Sequence, residues 1–270
     1  MTRKILDQLV TELTTAKNEW FYKRALRKFK PPEESATTEM IKQVYESANL
    51  QYACFQWLYD QMLPMYMRNH RDYFAQDQRG FGEDAFHAMW FLIFQEYRPG
   101  LALEIGVYRG QVISLWSLMA KHMSLNTEVH GISPFTAQGD QVSNYVAIDY
   151  YSDVVSHFKH FGLSEPFLHT GLSTDETMID VVISRSWDLI YVDGSHDYET
   201  VKHDCELCGR AIKPGGLVVL DDASLYNGFT PPRFSFAGHP GPSRVAENMS
   251  SEFFQEIVTV GHNRVFQRKK

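Results

Sequence analysis

The chain has 270 residues, of which 44% are hydrophobic and 22% charged, a balance typical of a folded globular protein. Its 26 basic and 33 acidic residues give a net charge of −7, and an acidic chain has no general attraction to nucleic acid or anionic lipid. No apolar run reaches the roughly 20 residues that cross a bilayer, and the N-terminus lacks the pattern of a secretory signal. We therefore expect a cytoplasmic protein with no nucleic-acid or membrane partner.

The cysteines favour a reducing compartment. Only Cys54, Cys205 and Cys208 are present, too few for a disulfide framework. Cys205 and Cys208 spell C-x-x-C, but they fall inside a predicted helix, and no second pair exists to complete a zinc site. We predict that they are two small apolar residues on a buried helix face.

The first third of the chain is predicted to be helical. In chain order, apolar spacing predicts a helix around 6–13, a helix at 38–67, a polar loop at 70–82 and a helix at 85–97. The aromatic-rich segment 45–73 carries more large side chains than a helix pair readily buries. Packing against the rest of the chain or assembly into a homo-oligomer would cover them, and the sequence leaves both open.

From Pro99 onward, short apolar runs alternate with helical segments. The predicted strands are 101–105, 128–132, 166–169, 187–192 and 216–220, and the predicted helices between them are 111–123, 144–161, 174–184 and 198–212. Five such alternations predict a parallel sheet covered on both faces.

The end of the chain breaks this rhythm. A Pro/Gly-rich loop at 227–242 and a helix near 244–251 precede two strand-like runs, 253–260 and 264–268, joined by a tight turn. This pattern predicts an antiparallel hairpin and a total of seven strands. We divide the chain into an N-terminal helical segment, 1–98, which forms a lid or an oligomerisation segment, and an α/β domain, 99–270.

Polar and glycine residues stand after every predicted parallel strand. In an open α/β sheet, ligands bind at these carboxyl ends. The residues are Glu104, Gly106, Tyr108, Arg109 and Gly110 after the first strand, Ser133 after the second, Gly171 to Ser173 after the third, Asp193 to Asp197 after the fourth, and Asp221 and Asp222 after the fifth. We predict a binding cleft at this edge of the sheet.

The first of these loops reads E-x-G-x-x-x-G rather than G-x-G-x-x-G. An acidic residue ahead of the first glycine repels phosphate and suits a cationic ligand, such as the ammonium group of an amino acid. Gly106 allows a sharp turn, and Gly110 allows a close approach of the following helix. An ordinary strand-to-helix turn has the same glycines, so the loop alone does not decide the ligand.

Three carboxylates follow the fourth and fifth strands. If these strands are neighbours, Asp193, Asp221 and Asp222 meet at one rim, where they repel one another unless a cation is present. A hard divalent cation, completed by water or a substrate hydroxyl, is the natural partner. Alternatively, Asp222 caps a loop and Asp193 bonds only to backbone N–H groups.

Three sequence blocks resemble the class I S-adenosylmethionine-dependent methyltransferases. They are E-I-G-V-Y-R-G, W-D-L-I-Y-V-D-G-S-H-D-Y-E-T-V-K-H-D and I-K-P-G-G-L-V-V-L-D-D. Within that class the chain is most similar to the branch that holds cephalosporin-hydroxylase-like proteins and macrolide-sugar O-methyltransferases, over about residues 99–270. The resemblance implies a Rossmann-like seven-stranded methyltransferase sheet with a terminal antiparallel hairpin. It also implies methyl transfer from S-adenosylmethionine to a hydroxyl of a small molecule, a sugar or a natural product.

The resemblance also implies roles for individual residues. The implied cofactor-binding residues are Glu104, Gly106 and Gly110 on the methionine side, Ser133 near the ribose, Ser173 beside the adenine, and Tyr108, Arg109 and Asp193. The implied magnesium ligands are Asp193, Asp221 and Asp222. His196 stands where the sugar O-methyltransferases keep their general base, and we predict His196 and Asp193 as catalytic residues.

This assignment agrees with the chemistry of methyl transfer to a hydroxyl. A bound magnesium ion lowers the pKa of the hydroxyl, and a nearby imidazole can accept its proton. The alternative for His196 is a residue at a helix N-terminus that bonds a neighbouring carboxylate. His239 and His262 are alternatives for the base only if the Pro/Gly-rich loop folds over the site.

Ser133 departs from the family pattern, which places an acidic residue after the second strand to bind both ribose hydroxyls. A serine makes one hydrogen bond where a carboxylate accepts two, a loss of about 1–3 kcal/mol unless another group, such as Asp140, compensates. This departure motivates one alternative, a methyltransferase fold with changed chemistry as a component of a hydroxylase system. A non-catalytic scaffold is the other, although a scaffold has no use for clustered carboxylates.

Overall fold

The computed structural model describes residues 3–32, 36–137, 146–249 and 251–270. The helices are α1 (Arg3–Leu26), α2 (Thr38–Val44), α3 (Ala48–Met62), α4 (Met65–Phe74), α5 (Asp84–Tyr97), α6 (Gln111–His122), α7 (Tyr150–His160), α8 (Glu176–Ile183), α9 (Tyr198–Ala211) and α10 (Pro240–Glu247). The strands are β1 (Leu101–Ile105), β2 (Glu128–Ser133), β3 (Phe167–Thr170), β4 (Trp187–Val192), β5 (Ile212–Leu220), β6 (Phe254–Val260) and β7 (Asn263–Arg268).

The seven strands form one sheet in the order β3-β2-β1-β4-β5-β7-β6. The first five strands are parallel, and β7 pairs antiparallel with both β5 and β6. The predicted sheet and its terminal hairpin are therefore confirmed. The chain order reverses between β1 and β4, and a crevice for a ligand opens at such a reversal.

The register of the three central strands brings their carboxyl ends level. Ile105 is paired with Val192, and Val192 with Leu220. The next residue on β4, Asp193, donates its backbone N–H to Ile105 O at 2.8 Å, and Asp221 donates to Val192 O at 3.0 Å. The fourth and fifth strands are neighbours, as the prediction of a shared rim required.

Helices cover both faces of the sheet because its strands are apolar on both sides. On β1, Leu103 and Ile105 join a core with residues of α8 and α9, whereas Ala102 joins a core with residues of α3, α5 and α6. Side chains alternate along a strand, so Glu104 shares the face of Ala102. Cys205 and Cys208 are free and buried on α9, which confirms their structural interpretation.

The aromatic side chains of the segment 45–73 pack within the chain. Tyr45, Tyr52 and Phe55 are buried in one hydrophobic cluster with Leu217 and Val219 of β5. The sequence left packing and assembly open as ways to cover these residues, and the structure shows packing against the sheet. Among the described residues, no helix is both long and apolar enough to span a bilayer.

The predicted single helix at 38–67 is wrong, because the chain breaks it twice. The first break follows α2, where Tyr45 is extended and the Ser47 hydroxyl caps α3 by accepting from the Leu50 N–H at 3.3 Å. The second break is at Pro64, which has no N–H to continue α3 and instead precedes α4. Local capping and proline therefore override the continuous apolar spacing.

Other predicted boundaries are also corrected. The loop predicted at 70–82 is helical as far as Phe74, and the helix predicted near 244–251 lies at Pro240–Glu247, so that it begins inside the Pro/Gly-rich loop predicted at 227–242. A proline in the first turn of a helix is favourable, so Pro240 begins α10 rather than excluding a helix. The helix predicted at 144–161 is Tyr150–His160, and residues 144 and 145 lie outside the described residues.

Gly106 makes the turn after β1. Its φ is +106°, and a Cβ there would lie 2.0 Å from the backbone oxygen of Asp193. We expect Gly106→Ala to lower the free energy of unfolding in urea by about 3 kcal/mol or more. Gly228→Ala is the matched control, since Gly228 has φ +83° with nothing described within 4 Å of its Cβ position, and should cost only about 1 kcal/mol. Equal costs at the two glycines would contradict the crowded turn.

Candidate active site

A cavity of about 970 Å³ opens at the carboxyl edge of the sheet. That volume is at the upper end of the range for small-molecule pockets. The predicted site residues that line it are Glu104, Gly106, Tyr108, Arg109, Ser133, Ser173, Asp193, His196, Asp221 and Asp222. Gly110 is instead the N-cap of α6, with φ +78°, and a Cβ there would crowd Val154.

Glu104 lies on β1 beneath the first turn of α6. It is 3% exposed and accepts a hydrogen bond from the Ile113 backbone N–H, whereas its Oε2 has no hydrogen-bond partner within the described part of the chain. Burial raises the pKa of Glu104 to about 8. The hydrogen bond from Ile113 lowers this pKa, and the charge of Asp221 raises it further. A buried carboxyl of this kind is suited to a cationic ligand group, which would restore its ionised form.

Glu104 makes stability depend on pH. Because its pKa is raised from 4.5 to about 8, the folded state holds a proton that the unfolded state releases, so stability is lost as pH rises between those values. We expect Glu104→Gln to raise the free energy of unfolding by about 2–4 kcal/mol at about pH 9 and to leave it nearly unchanged at about pH 4. Urea unfolding at both pH values tests this. A variant that is less stable than the wild type at high pH would contradict it.

Arg109 ties the first loop to its surroundings. Its guanidinium donates to both Asp153 oxygens at 2.7 and 3.1 Å and to the Asp77 carbonyl at 2.9 Å. Tyr108 lies between the rings of Phe81 and Tyr150, with centroids 5.2 and 5.5 Å away. The loop is therefore fixed between α7 and the segment that precedes α5.

The two serines predicted near the nucleoside lie on the far side of β1. Ser133 is buried, and its Oγ accepts from the Phe135 N–H at 3.4 Å. Ser173 hydrogen-bonds the buried carboxyl of Asp204 on α9. Asp140, the predicted compensating residue, lies outside the described residues.

Asp193 and Asp221 form a hydrogen-bonded carboxyl pair at the ends of β4 and β5. Burial raises the pKa of Asp193 well above its usual range, and the charge of Asp221 raises it further. Burial and the charge of Asp222 also raise the pKa of Asp221, although His262 opposes this. Two such carboxyls share a proton unless a cation is present.

Asp222 is held between imidazoles. Its Oδ2 lies 2.7 Å from His196 Nε2 and 3.7 Å from His239 Nε2. Burial would raise its pKa, but the His196 hydrogen bond and the charges of His262, His196 and His239 outweigh burial and lower it. Asp222 also has a left-handed backbone, with φ +54°, and such strain in a non-glycine residue is common at functional sites.

The Pro/Gly-rich loop folds over this cluster. The rings of His196 and His239 are 4.2 Å apart, and Phe236 lies 4.6 Å from the His262 ring. His239 and His262 were alternatives for the general base only if this loop folds over the site, and that condition is met. Both histidines line the cavity.

Sequence reasoning missed Glu83, which precedes α5. Its Oε1 lies 3.8 Å from His262 Nδ1, and Tyr52 of α3 donates to its carboxylate. On the other side, His262 Nε2 is 3.4 Å from Asp221 Oδ1. Burial lowers the pKa of His262, but the charges of Asp221, Asp222 and Glu83 outweigh it and raise that pKa. The only signal for Glu83 in the sequence is an acidic residue just before a helix, which is too common to single out.

The donor set at this rim fits a divalent cation. Oδ1 of Asp221 and Oδ1 of Asp222 are buried and accept no hydrogen bond from any described residue. Within the same described ranges, ligand atoms closer than 4.8 Å to one another group His196 with Asp222 and His239, and Asp221 with Asp222 and His262. Asp193 joins the rim through its hydrogen bond with Asp221.

Comparison with known proteins agrees with this fold. A family model described as a methyltransferase domain matches residues 103–223, from β1 to just beyond β5. Residues 103–223 are therefore similar to a methyltransferase domain. The resemblance to class I S-adenosylmethionine-dependent methyltransferases is therefore confirmed. The matched segment includes all three carboxylates of the rim, Asp193, Asp221 and Asp222.

Solved structures show the same fold at low sequence identity. An O-methyltransferase from Bacillus cereus in complex with S-adenosylhomocysteine is 17% identical, with a TM-score of 0.55 over 81% of this chain and 97% of that one. The O-methyltransferase TomG from Streptomyces achromogenes, involved in tomaymycin synthesis and bound to S-adenosylmethionine, is 12% identical, with a TM-score of 0.52 over 81% and 96%. A methyltransferase from Podospora anserina bound to S-adenosylhomocysteine is 16% identical, with a TM-score of 0.52 over 77% and 89%.

A curated relative adds little about activity. An uncharacterized protein of Acanthamoeba polyphaga mimivirus is 26% identical over 130 residues, which is 46% of this chain. The match spans about half of the relative's length, 52%.

Proposed function

We propose that this protein is an S-adenosylmethionine-dependent O-methyltransferase that acts on a hydroxyl of a small molecule, a sugar or a natural product. The observation that carries the proposal is a single cavity that holds both a buried carboxyl for a cationic amino group, Glu104, and an imidazole–carboxylate pair, His196 and Asp222. The first group suits the methionine end of the cofactor, and the second suits proton removal from an acceptor.

In the proposed reaction, the acceptor oxygen attacks the methyl carbon of the sulfonium. The C–O bond forms as the C–S bond breaks, the sulfur takes the electron pair, and His196 accepts the hydroxyl proton. Asp222 holds the imidazole in place through the 2.7 Å contact and stabilises its protonated form. The products are the methyl ether and S-adenosylhomocysteine.

Asp193, Asp221 and Asp222 would hold a magnesium ion in this proposal. When bound, the ion lowers the pKa of the acceptor hydroxyl and orients it. The buried Oδ1 atoms of Asp221 and Asp222, which accept no hydrogen bond from the described residues, support this assignment. Two aromatic residues of the cavity wall, Phe86 and Phe236, lie beside His262 and would pack against the body of the acceptor.

The proposal includes a cytoplasmic location, because the three cysteines are free and buried, as is usual in a reducing compartment. The acidic net charge of −7 favours a small-molecule partner over nucleic acid or an anionic membrane. Assembly into a homo-oligomer, with the N-terminal segment 1–98 as a lid or contact surface, remains part of the proposal.

Labelled cofactor tests the reaction directly. The protein is incubated with ¹³C-methyl S-adenosylmethionine, magnesium and a panel of hydroxylated sugars and natural products, and the products are followed by NMR and mass spectrometry. We expect a labelled methyl ether together with S-adenosylhomocysteine. Cofactor binding with no methyl transfer to any acceptor would favour the changed-chemistry alternative that Ser133 motivated.

A further inference from the structure

Gln111 is the first residue of α6, and its side chain is held in one orientation. It is 8% exposed and lines the cavity. The Gly82 backbone N–H donates to its Oε1 at 3.0 Å, which identifies the other amide atom, Nε2, as the donor. That buried Nε2 has no hydrogen-bond partner in any described part of the chain. A buried amide donor without a partner is unfavourable, so it points to an acceptor group on a ligand.

Glu104 lines the same cavity as Gln111 and has the opposite requirement, because its unpartnered atom is an acceptor and that of Gln111 is a donor. Glu104 accepts from the N–H of Ile113, in the same first turn of α6, and its Oε2 lacks a hydrogen-bond partner among the residues described. Glu104 therefore offers a site for a cation, while Gln111 offers a donor at a helix N-terminus, which favours an anion. A cation site and an anion site in one cavity, both at the first turn of α6, fit the zwitterionic head of an α-amino acid.

The segment before α5 is built to contact Gln111. A Cβ at Gly80 would lie 2.0 Å from Gln111 Oε1, and one at Gly82 would lie 3.0 Å from the same atom. A side chain at Gly80 would therefore displace the Gln111 amide from this position. Arg79 fixes the start of the segment by donating to the Tyr73 carbonyl at 2.9 Å. The N-terminal helical region thus reaches the cofactor side of the cavity through Gly82.

We propose that Gln111, oriented by Gly82, donates through Nε2 to the carboxylate of the methionine end of the cofactor. Gln111 then selects ligands that carry an α-carboxylate, and Glu104 binds the neighbouring ammonium group. This inference rests on the proposed function, because it takes S-adenosylmethionine as the ligand.

Calorimetry with three ligands separates the two ends of the amino acid. S-adenosylhomocysteine has both the carboxylate and the ammonium, its decarboxylated analogue keeps only the ammonium, and 5′-methylthioadenosine has neither. We expect Gln111→Leu to weaken S-adenosylhomocysteine binding about 10- to 100-fold and to change the binding of the other two ligands by less than about threefold. Gln255→Leu, at an exposed position of β6, is the matched control and should leave all three unchanged.

Gln111→Glu is a second variant that keeps the size of the side chain and the acceptor for Gly82. Its added negative charge should weaken S-adenosylhomocysteine more than Gln111→Leu does, and should not weaken the decarboxylated analogue. Equal loss for all three ligands, or no loss for S-adenosylhomocysteine, would overturn the role of Gln111. Failure of the wild-type protein to bind S-adenosylhomocysteine would instead overturn the proposed function and this inference with it.

Discussion

Replacing His196 with glutamine should lower kcat about 100- to 10,000-fold, the usual contribution of a general base. Glutamine can still donate a hydrogen bond to Asp222, so the carboxylate 2.7 Å from His196 should keep its position. The side chain can no longer accept the acceptor's proton. Initial rates with labelled cofactor measure the loss, and calorimetry with S-adenosylhomocysteine should give an affinity within about threefold of the wild type.

A matched variant distinguishes this from a general effect of losing a histidine. His160 is exposed at the end of α7, and His160→Gln should retain the wild-type kcat. Full activity of His196→Gln would show that His196 is not the base. His239, whose ring is 4.2 Å from His196, would then be the next residue to replace.

Adding magnesium to protein freed of metal should raise its melting temperature. The ion relieves the repulsion between the Asp193 and Asp221 carboxyls, whose pKa values are both raised by burial and by neighbouring carboxylates. At about 100 times the dissociation constant, binding adds about 2.7 kcal/mol, which is roughly 5–10 °C for a chain of this size. Because the ion replaces protons on these groups, the shift should decrease as pH falls.

Asp221→Asn should abolish the magnesium shift and most of the methyl-transfer activity, since it removes a carboxylate that faces Asp193, Asp222 and His262. Asp60→Asn, at an exposed position on α3, is the control and should retain both. Differential scanning calorimetry of the three proteins with and without magnesium provides the comparison. An unchanged melting temperature of the wild type at millimolar magnesium or manganese would contradict a cation site at this rim.

The parts of the site that follow parallel strands were predictable from the sequence. Asp193 and Asp221 each come directly after an apolar run, and the carboxyl ends of neighbouring parallel strands meet at one edge. The residues in the first loop were predictable for the same reason, because the glycines mark the turn after β1.

The contacts from outside the alternating region were not predictable. Glu83 and Gln111 acquire their roles only when the segment before α5 folds against α6, and His262 only when the β6–β7 turn reaches Asp221. Such contacts join residues far apart in the chain, and no periodic pattern encodes them. Likewise, the helix predicted at 38–67 failed because one serine cap and one proline outweigh regular apolar spacing.

Binding of S-adenosylhomocysteine to the wild-type protein and to Glu104→Gln tests the assignment of the cavity most directly. Calorimetry should show one saturable site per chain in the wild type, and an affinity at least about tenfold lower in the variant, because the neutral amide cannot pair with the ammonium group. The higher stability that we expect for the variant above the pKa of Glu104 would exclude misfolding as the cause of that loss. No heat of binding to the wild type at millimolar ligand would contradict the assignment.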